Sequence, residues 1–77
     1  MKLNVKYYGQ LIDLVNKEEE TININGKTIN CLNTKILKLY PILNGFTFSI
    51  AQNNELKSNK CYIKEGKIDI FPPFSGG

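Results

Sequence analysis

Thr28-Ile29-Asn30-Cys31-Leu32-Asn33-Thr34-Lys35-Ile36-Leu37-Lys38-Leu39-Tyr40 is the one long stretch of the chain with a helical period. Its apolar residues Ile29, Leu32, Ile36 and Leu39 recur at spacings of three, four and three, which places them in one stripe along a helix. Thr28 offers a side-chain oxygen to the unpaired N–H groups of the first turn, so it is the expected N-cap. Pro41 and Gly45 stop the run. A helix with one apolar stripe must lie on something, and the chain on both sides of it reads as strand.

Upstream, Lys2 to Tyr8 alternates, with Leu3, Val5 and Tyr7 on one face and Lys2, Asn4 and Lys6 on the other. Gly9 breaks this strand, and Leu11, Leu14 and Val15 suit a short helical turn over 10–15. The polar run Asn16-Lys17-Glu18-Glu19-Glu20 reads as a solvated loop. Thr21 to Ile24 alternates again before a turn at Asn25-Gly26 and pairs antiparallel with the first strand. Downstream, Phe46-Thr47-Phe48-Ser49-Ile50 predicts a strand with Phe46, Phe48 and Ile50 inward, and Gln52-Asn53-Asn54 turns the chain. A less regular segment over 55–63 and a turn at Glu65-Gly66 lead to a last strand, Lys67 to Phe71. Strand, strand, helix, strand, strand is an α+β layer pair. A helix between strands implies a crossover, which predicts a small mixed sheet with the first and last strands adjacent and parallel. That is the ubiquitin-like β-grasp, one domain over 1–71 with a flexible Gly-Gly tail over 72–77.

Seventy-seven residues leave no room for a second domain, and a chain of this size buries about 60 % of its unfolded surface. A hydrophobic fraction of 42 % and a charged fraction of 22 % are those of an ordinary globular protein. No apolar run approaches the roughly 20 residues that span a bilayer, and the alternating start lacks the pattern of a signal peptide. The expectation is a cytoplasmic protein with no membrane partner. The net charge of +3 comes from lysine alone, scattered among seven acidic residues. Without Arg, which leads in bidentate phosphate and base contacts, nucleic acid is not an expected partner.

Catalytic residue types are scarce. There is no His, and Cys31 and Cys61 stand thirty positions apart, so a zinc site is not expected and the cysteines read as small buried hydrophobes. Asp13, Glu55, Glu65 and Asp69 read as surface residues. Gly26-Lys27-Thr28 imitates the end of a phosphate-binding loop, but Thr21 occupies the place of the leading Gly, and a hairpin-to-helix turn accounts for it better. What remains is Phe71-Pro72-Pro73-Phe74-Ser75-Gly76-Gly77. Pro72 and Pro73 lack backbone donors, so the last strand must leave the sheet after Phe71. Four apolar residues in a row invite a partner, and Gly76 and Gly77 add no side chain to obstruct a narrow slot. Extended, seven residues reach about 23–25 Å. The distinctive chemical group is then the α-carboxylate of Gly77. Activated as an acyl-adenylate, it is open to attack by a persulfide, which leads to a thiocarboxylate, or by a thiol or amine, which gives a conjugate. The pocket and the acid–base groups belong to the partner.

These residues resemble a known family. Phe71 to Gly77 looks like the FPPxxGG ending of the small subunit of molybdopterin synthase, the MoaD-like branch of the MoaD/ThiS sulfur carriers. Ile50-Ala51-Gln52-Asn53, Lys64-Glu65-Gly66-Lys67-Ile68 and the opening Lys2 to Leu14 resemble further family segments. Lys67 stands where the family usually has Asp, Tyr8 and Gly9 where it has Phe and Ala, and Ile12 where it has Arg; the tail motif is intact. The resemblance implies that Gly77 is adenylated by an E1-like adenylating enzyme, which consumes ATP, and is converted to a thiocarboxylate by a sulfur donor. It also implies that Phe71, Pro72, Pro73, Phe74, Ser75 and Gly76 bind the partner, with no stably held cofactor. That partner is the molybdopterin synthase large subunit, which converts cyclic pyranopterin monophosphate to molybdopterin within a heterotetramer. Alternatives are a sulfur carrier for thiamine thiazole synthesis, a ubiquitin-like protein modifier, and a passive binding module.

Overall fold

A computed structural model describes residues 1–64 and 66–72 of the chain. Strand β1 (Lys2–Tyr7) is followed by helix α1 (Gln10–Val15), strand β2 (Glu19–Asn23), helix α2 (Ile29–Leu39) and a 3-10 turn (Pro41–Gly45). Strands β3 (Ser49–Gln52), β4 (Glu55–Lys57) and β5 (Lys67–Phe71) complete the order. The sheet runs β2-β1-β5-β3-β4. Among the described residues only the β1–β5 pair is parallel; β1–β2, β3–β4 and β3–β5 are antiparallel. The ubiquitin-like β-grasp expected from the order of elements is the fold that forms.

The periods explain the layers. Along β1, Leu3, Val5 and Tyr7 are buried and Lys2, Asn4 and Lys6 are exposed. On β5, Ile68 and Ile70 are buried and continue the same inner face. Helix α2 lays Ile29, Leu32 and Ile36 on that face, driven by burial of apolar area. Thr28 caps it, its Oγ1 accepting from the Cys31 N–H at 3.3 Å. The stripe ends one turn early: Leu39 is 45 % exposed, and Leu43 from the 3-10 turn is buried instead.

Three expectations need correction. Strand β3 begins at Ser49, not Phe46, and Phe46 is 39 % exposed rather than inward. The cause lies in its neighbour: Ser49 is the partner of Phe71, so a residue before Ser49 would face Pro72, which has no N–H to share. The segment 55–63 is not wholly irregular, because Gln52 and Glu55 pair across a two-residue turn to start β4. Asn53 and Asn54 sit there at φ 54° and 64°, the left-handed pair that a tight hairpin of matching twist requires. Gln52 itself is buried, and its Oε1 accepts from the Lys64 N–H at 2.6 Å, pinning the approach to β5.

The third correction concerns the polar run. Glu19 and Glu20 belong to β2, and Glu20 pairs with Val5, which turns its side chain toward the helix layer. Its Oε2 accepts from Tyr7 Oη at 2.6 Å and from Tyr40 Oη at 2.5 Å, and its Oε1 from Lys17 Nζ at 3.2 Å. The Tyr7 and Tyr40 rings meet edge to face, centroids 6.2 Å apart. Burial alone would raise the Glu20 carboxyl, but hydrogen bonds from Tyr40, Tyr7 and Lys17 outweigh it and hold the pKa below the ordinary carboxylate value. Burial, then the bond to Glu20, pushes the Tyr7 hydroxyl well up.

Candidate functional site

Strand β5 lies between β1 and β3, so the chain leaves the sheet from its middle, at Phe71-Pro72. Residues β1 sends beyond its own end receive it there. The Tyr8 N–H donates to the Ile70 carbonyl at 3.1 Å, the last rung of the parallel pair. By alternation Tyr8 faces away from the core, on the same side as Asp69 and Phe71. Its ring stacks on that of Phe71, with centroids 4.6 Å apart and planes inclined by 17°. Its hydroxyl donates to Asp69 Oδ1 at 2.9 Å, which raises the tyrosine pKa because ionisation would forfeit the bond. Lys6 Nζ stands 5.4 Å from the centre of the Tyr8 ring, within cation–π reach.

Gly9 completes the root. At φ 58° and ψ −137° it occupies a region closed to residues with a Cβ. A Cβ placed on it would lie 3.0 Å from Pro72 Cγ. Pro72 therefore packs into the space Gly9 leaves open. Phe71 and Pro72, expected among exposed tail residues, are half-buried. Pro73, Phe74, Ser75, Gly76 and Gly77, the remainder of the sequence-predicted site, lie outside the described residues, as does Glu65.

The other candidates stand apart. Asp13 and Glu55 are exposed. Among the described residues no group of three or more His, Cys, Asp and Glu side chains is placed to hold a metal ion, and no helix is long and apolar enough to cross a membrane. Cys31 and Cys61 are free thiols, half-buried rather than buried. A hydrogen bond from Thr28 Oγ1, at 3.2 Å, lowers the Cys31 pKa, and one with Ser58 lowers that of Cys61. Cys31 borders an open cleft of about 440 Å³ between the end of β2 and α2, lined also by Asn25, Lys35 and Lys38. Gly26 packs against the Cys31 sulfur there, which leaves no room for a Cβ at that position. Tyr8, Gly9 and Asp69 are the residues of the tail root that sequence reasoning did not assign to the site. Their signal was weak, since only the β1–β5 register brings Tyr8 beside Phe71.

No protein-family model matches the chain. Among solved structures, the fold is similar to that of a Pyrococcus furiosus protein assigned as subunit 1 of molybdopterin converting factor. The TM-score is 0.85 at 24 % identity, over 96 % of this chain and 99 % of that one. It is similar to small archaeal modifier protein 1 of Haloferax volcanii, with TM-score 0.80, 18 % identity and full coverage, 100 % of each chain. A chain from the complex of subunits 1 and 2 of molybdopterin-converting factor from Helicobacter pylori matches with TM-score 0.67 and 25 % identity, again over 100 % of both. In fold, this chain is a ubiquitin-like β-grasp protein of the kind found in molybdopterin converting factor subunit 1 and small archaeal modifier protein 1.

Proposed function

We propose that the chain is a sulfur carrier whose working group is the carboxylate of Gly77, and that it acts as the small subunit of molybdopterin synthase. The observation that carries this reading is the coincidence of Phe71-Pro72-Pro73-Phe74-Ser75-Gly76-Gly77 with a strand that leaves the middle of a β-grasp sheet at Phe71-Pro72. In the proposed reaction the carboxylate attacks ATP in an adenylating enzyme, forming the acyl-adenylate and releasing pyrophosphate. A persulfide sulfur then displaces AMP to give an acyl disulfide, and a second thiol cleaves its S–S bond to leave the thiocarboxylate. Phe71 to Gly76 anchor and guide the tail in its partners. The proposed acceptor is a large subunit, a pairing supported by the Helicobacter pylori structure being a complex of subunits 1 and 2. ATP is consumed by the activating enzyme and no cofactor is held by the chain itself.

A second reading has an observation in its favour. The likeness to small archaeal modifier protein 1 spans the full chain, and the same adenylate attacked by an amine would make this chain a protein modifier. Deleting Gly77, or adding one residue after it, tests the group common to both readings. Sulfur transfer should be abolished while the melting temperature stays unchanged, and normal transfer by the shortened chain would refute the assignment. Accumulation of amide-linked conjugates without any thiocarboxylate would select the modifier.

A further inference from the structure

We infer that Tyr8 is a positioning residue for the tail: with Gly9 it forms a seat that fixes the direction in which the chain leaves the sheet. Its catalytic consequence rests on the carrier reading, whereas the seat is a property of the free chain. Three separate contacts make it. The Tyr8 N–H holds the Ile70 carbonyl at 3.1 Å, its ring stacks on Phe71 at 4.6 Å, and its hydroxyl is tethered to Asp69 at 2.9 Å. A ring held at its far end cannot swing away, so the Phe71 side chain is clamped against the sheet. Pro72 is then stopped by Gly9, whose missing Cβ leaves a space bounded at 3.0 Å, and the fixed φ of proline carries that orientation onward.

The lever is long enough to matter. Five residues beyond Pro72, extended into a partner, span about 17 Å, so a swing of about 10° at the root moves the end by about 3 Å. A tail already aimed has less freedom to lose when it enters a partner, so the seat acts on binding and leaves the chemical step unchanged. Asp69 and the Tyr8 hydroxyl serve no core contact: both lie on the outer face, and the inner face is filled by Val5, Tyr7, Ile68 and Ile70. A pair whose bond adds nothing to the core is explained by what it holds.

The test uses the full chain, as wild type, Tyr8→Phe and Tyr8→Ala. In nuclear magnetic resonance spectra of the free wild-type protein, Tyr8 ring protons should show contacts to Phe71, and Pro72 should show contacts to Gly9. In Tyr8→Ala the shifts of the Phe71 ring and of Pro72 should move toward those of an unstructured peptide while α2 and β2 resonances stay in place; unmoved Pro72 shifts would overturn the seat. The second arm measures conversion of Gly77 to the thiocarboxylate with ATP, the adenylating enzyme and a persulfide donor. Tyr8→Ala should raise KM about tenfold with kcat unchanged, and Tyr8→Phe, which keeps the stack, about twofold, the scale of ordering one or two side chains before binding. Equal KM values for all three proteins would overturn the positioning role. If wild type is not converted while the Tyr8–Phe71 contacts are present, the carrier reading fails and the seat stands.

Discussion

Tyr7 and Tyr8 are neighbours in the chain and lie on opposite faces of one sheet. Tyr7 is 1 % exposed and donates to Glu20, which also receives the hydroxyl of Tyr40 at the end of α2. That cluster ties β1, β2 and the helix layer together at one point. Tyr8, one residue on, turns its side chain to the other face; it stacks on Phe71 and donates to Asp69 where the chain departs. Each tyrosine lays a ring on an aromatic partner and a hydroxyl on a carboxylate, yet one arrangement closes the core and the other supports an exit. The side of the sheet decides the role, because only the inner face loses its water.

The contrast can be broken by truncation. Tyr7→Ala removes a large buried ring and one of the three donors to Glu20, and should cost about 3–5 kcal/mol, read as a lowered urea midpoint. Tyr8→Ala should cost under about 1 kcal/mol in the same experiment, since its ring rests on a half-solvated face. Equal losses for the two variants would erase the distinction.

Between these extremes lies Glu20. Glu20→Ala leaves the buried Tyr7 hydroxyl without its acceptor and should cost about 1–3 kcal/mol. The pH dependence sharpens the point. The fold lowers the Glu20 pKa, so its stabilisation is fully present above the ordinary carboxylate value of about 4.3. It is lost as pH falls through the depressed folded value, because the unfolded chain then binds the extra proton. Glu20→Gln should flatten this acid-side loss of stability in unfolding curves taken from neutral to acid pH. An unchanged slope would show that the carboxylate is not the group being titrated.

How much of this was legible depends on the range of each interaction. The α2 stripe, its Thr28 cap and the alternation of β1 and β5 are local patterns, and each element formed where its period placed it, with Leu39 left outside the stripe. The parallel pairing of first and last strands followed from one crossover. Local reading failed where the partner was distant. The Asn16 to Glu20 run has no period of its own, and Glu20 is drawn inward by hydroxyls 13 and 20 positions away. The Phe46 to Phe48 run alternates like a strand, but in the β3–β5 register Phe48 would face Pro72, which has no N–H to share. At the site, the tail announced itself by composition. Its root stayed hidden because Tyr8 and Asp69 are 61 positions apart, and the outward position of Asp69 read only as solvent exposure.

The central claim is chemical, and intact-protein mass spectrometry addresses it most directly. The chain is incubated with ATP, an adenylating enzyme active on it and a persulfide donor, then weighed whole and after removal of the C-terminal peptide. Replacement of one oxygen by one sulfur, confined to the peptide ending in Gly77 and absent without ATP, is the result predicted here. A chain that this enzyme adenylates but that gains no sulfur from the persulfide donor would contradict it.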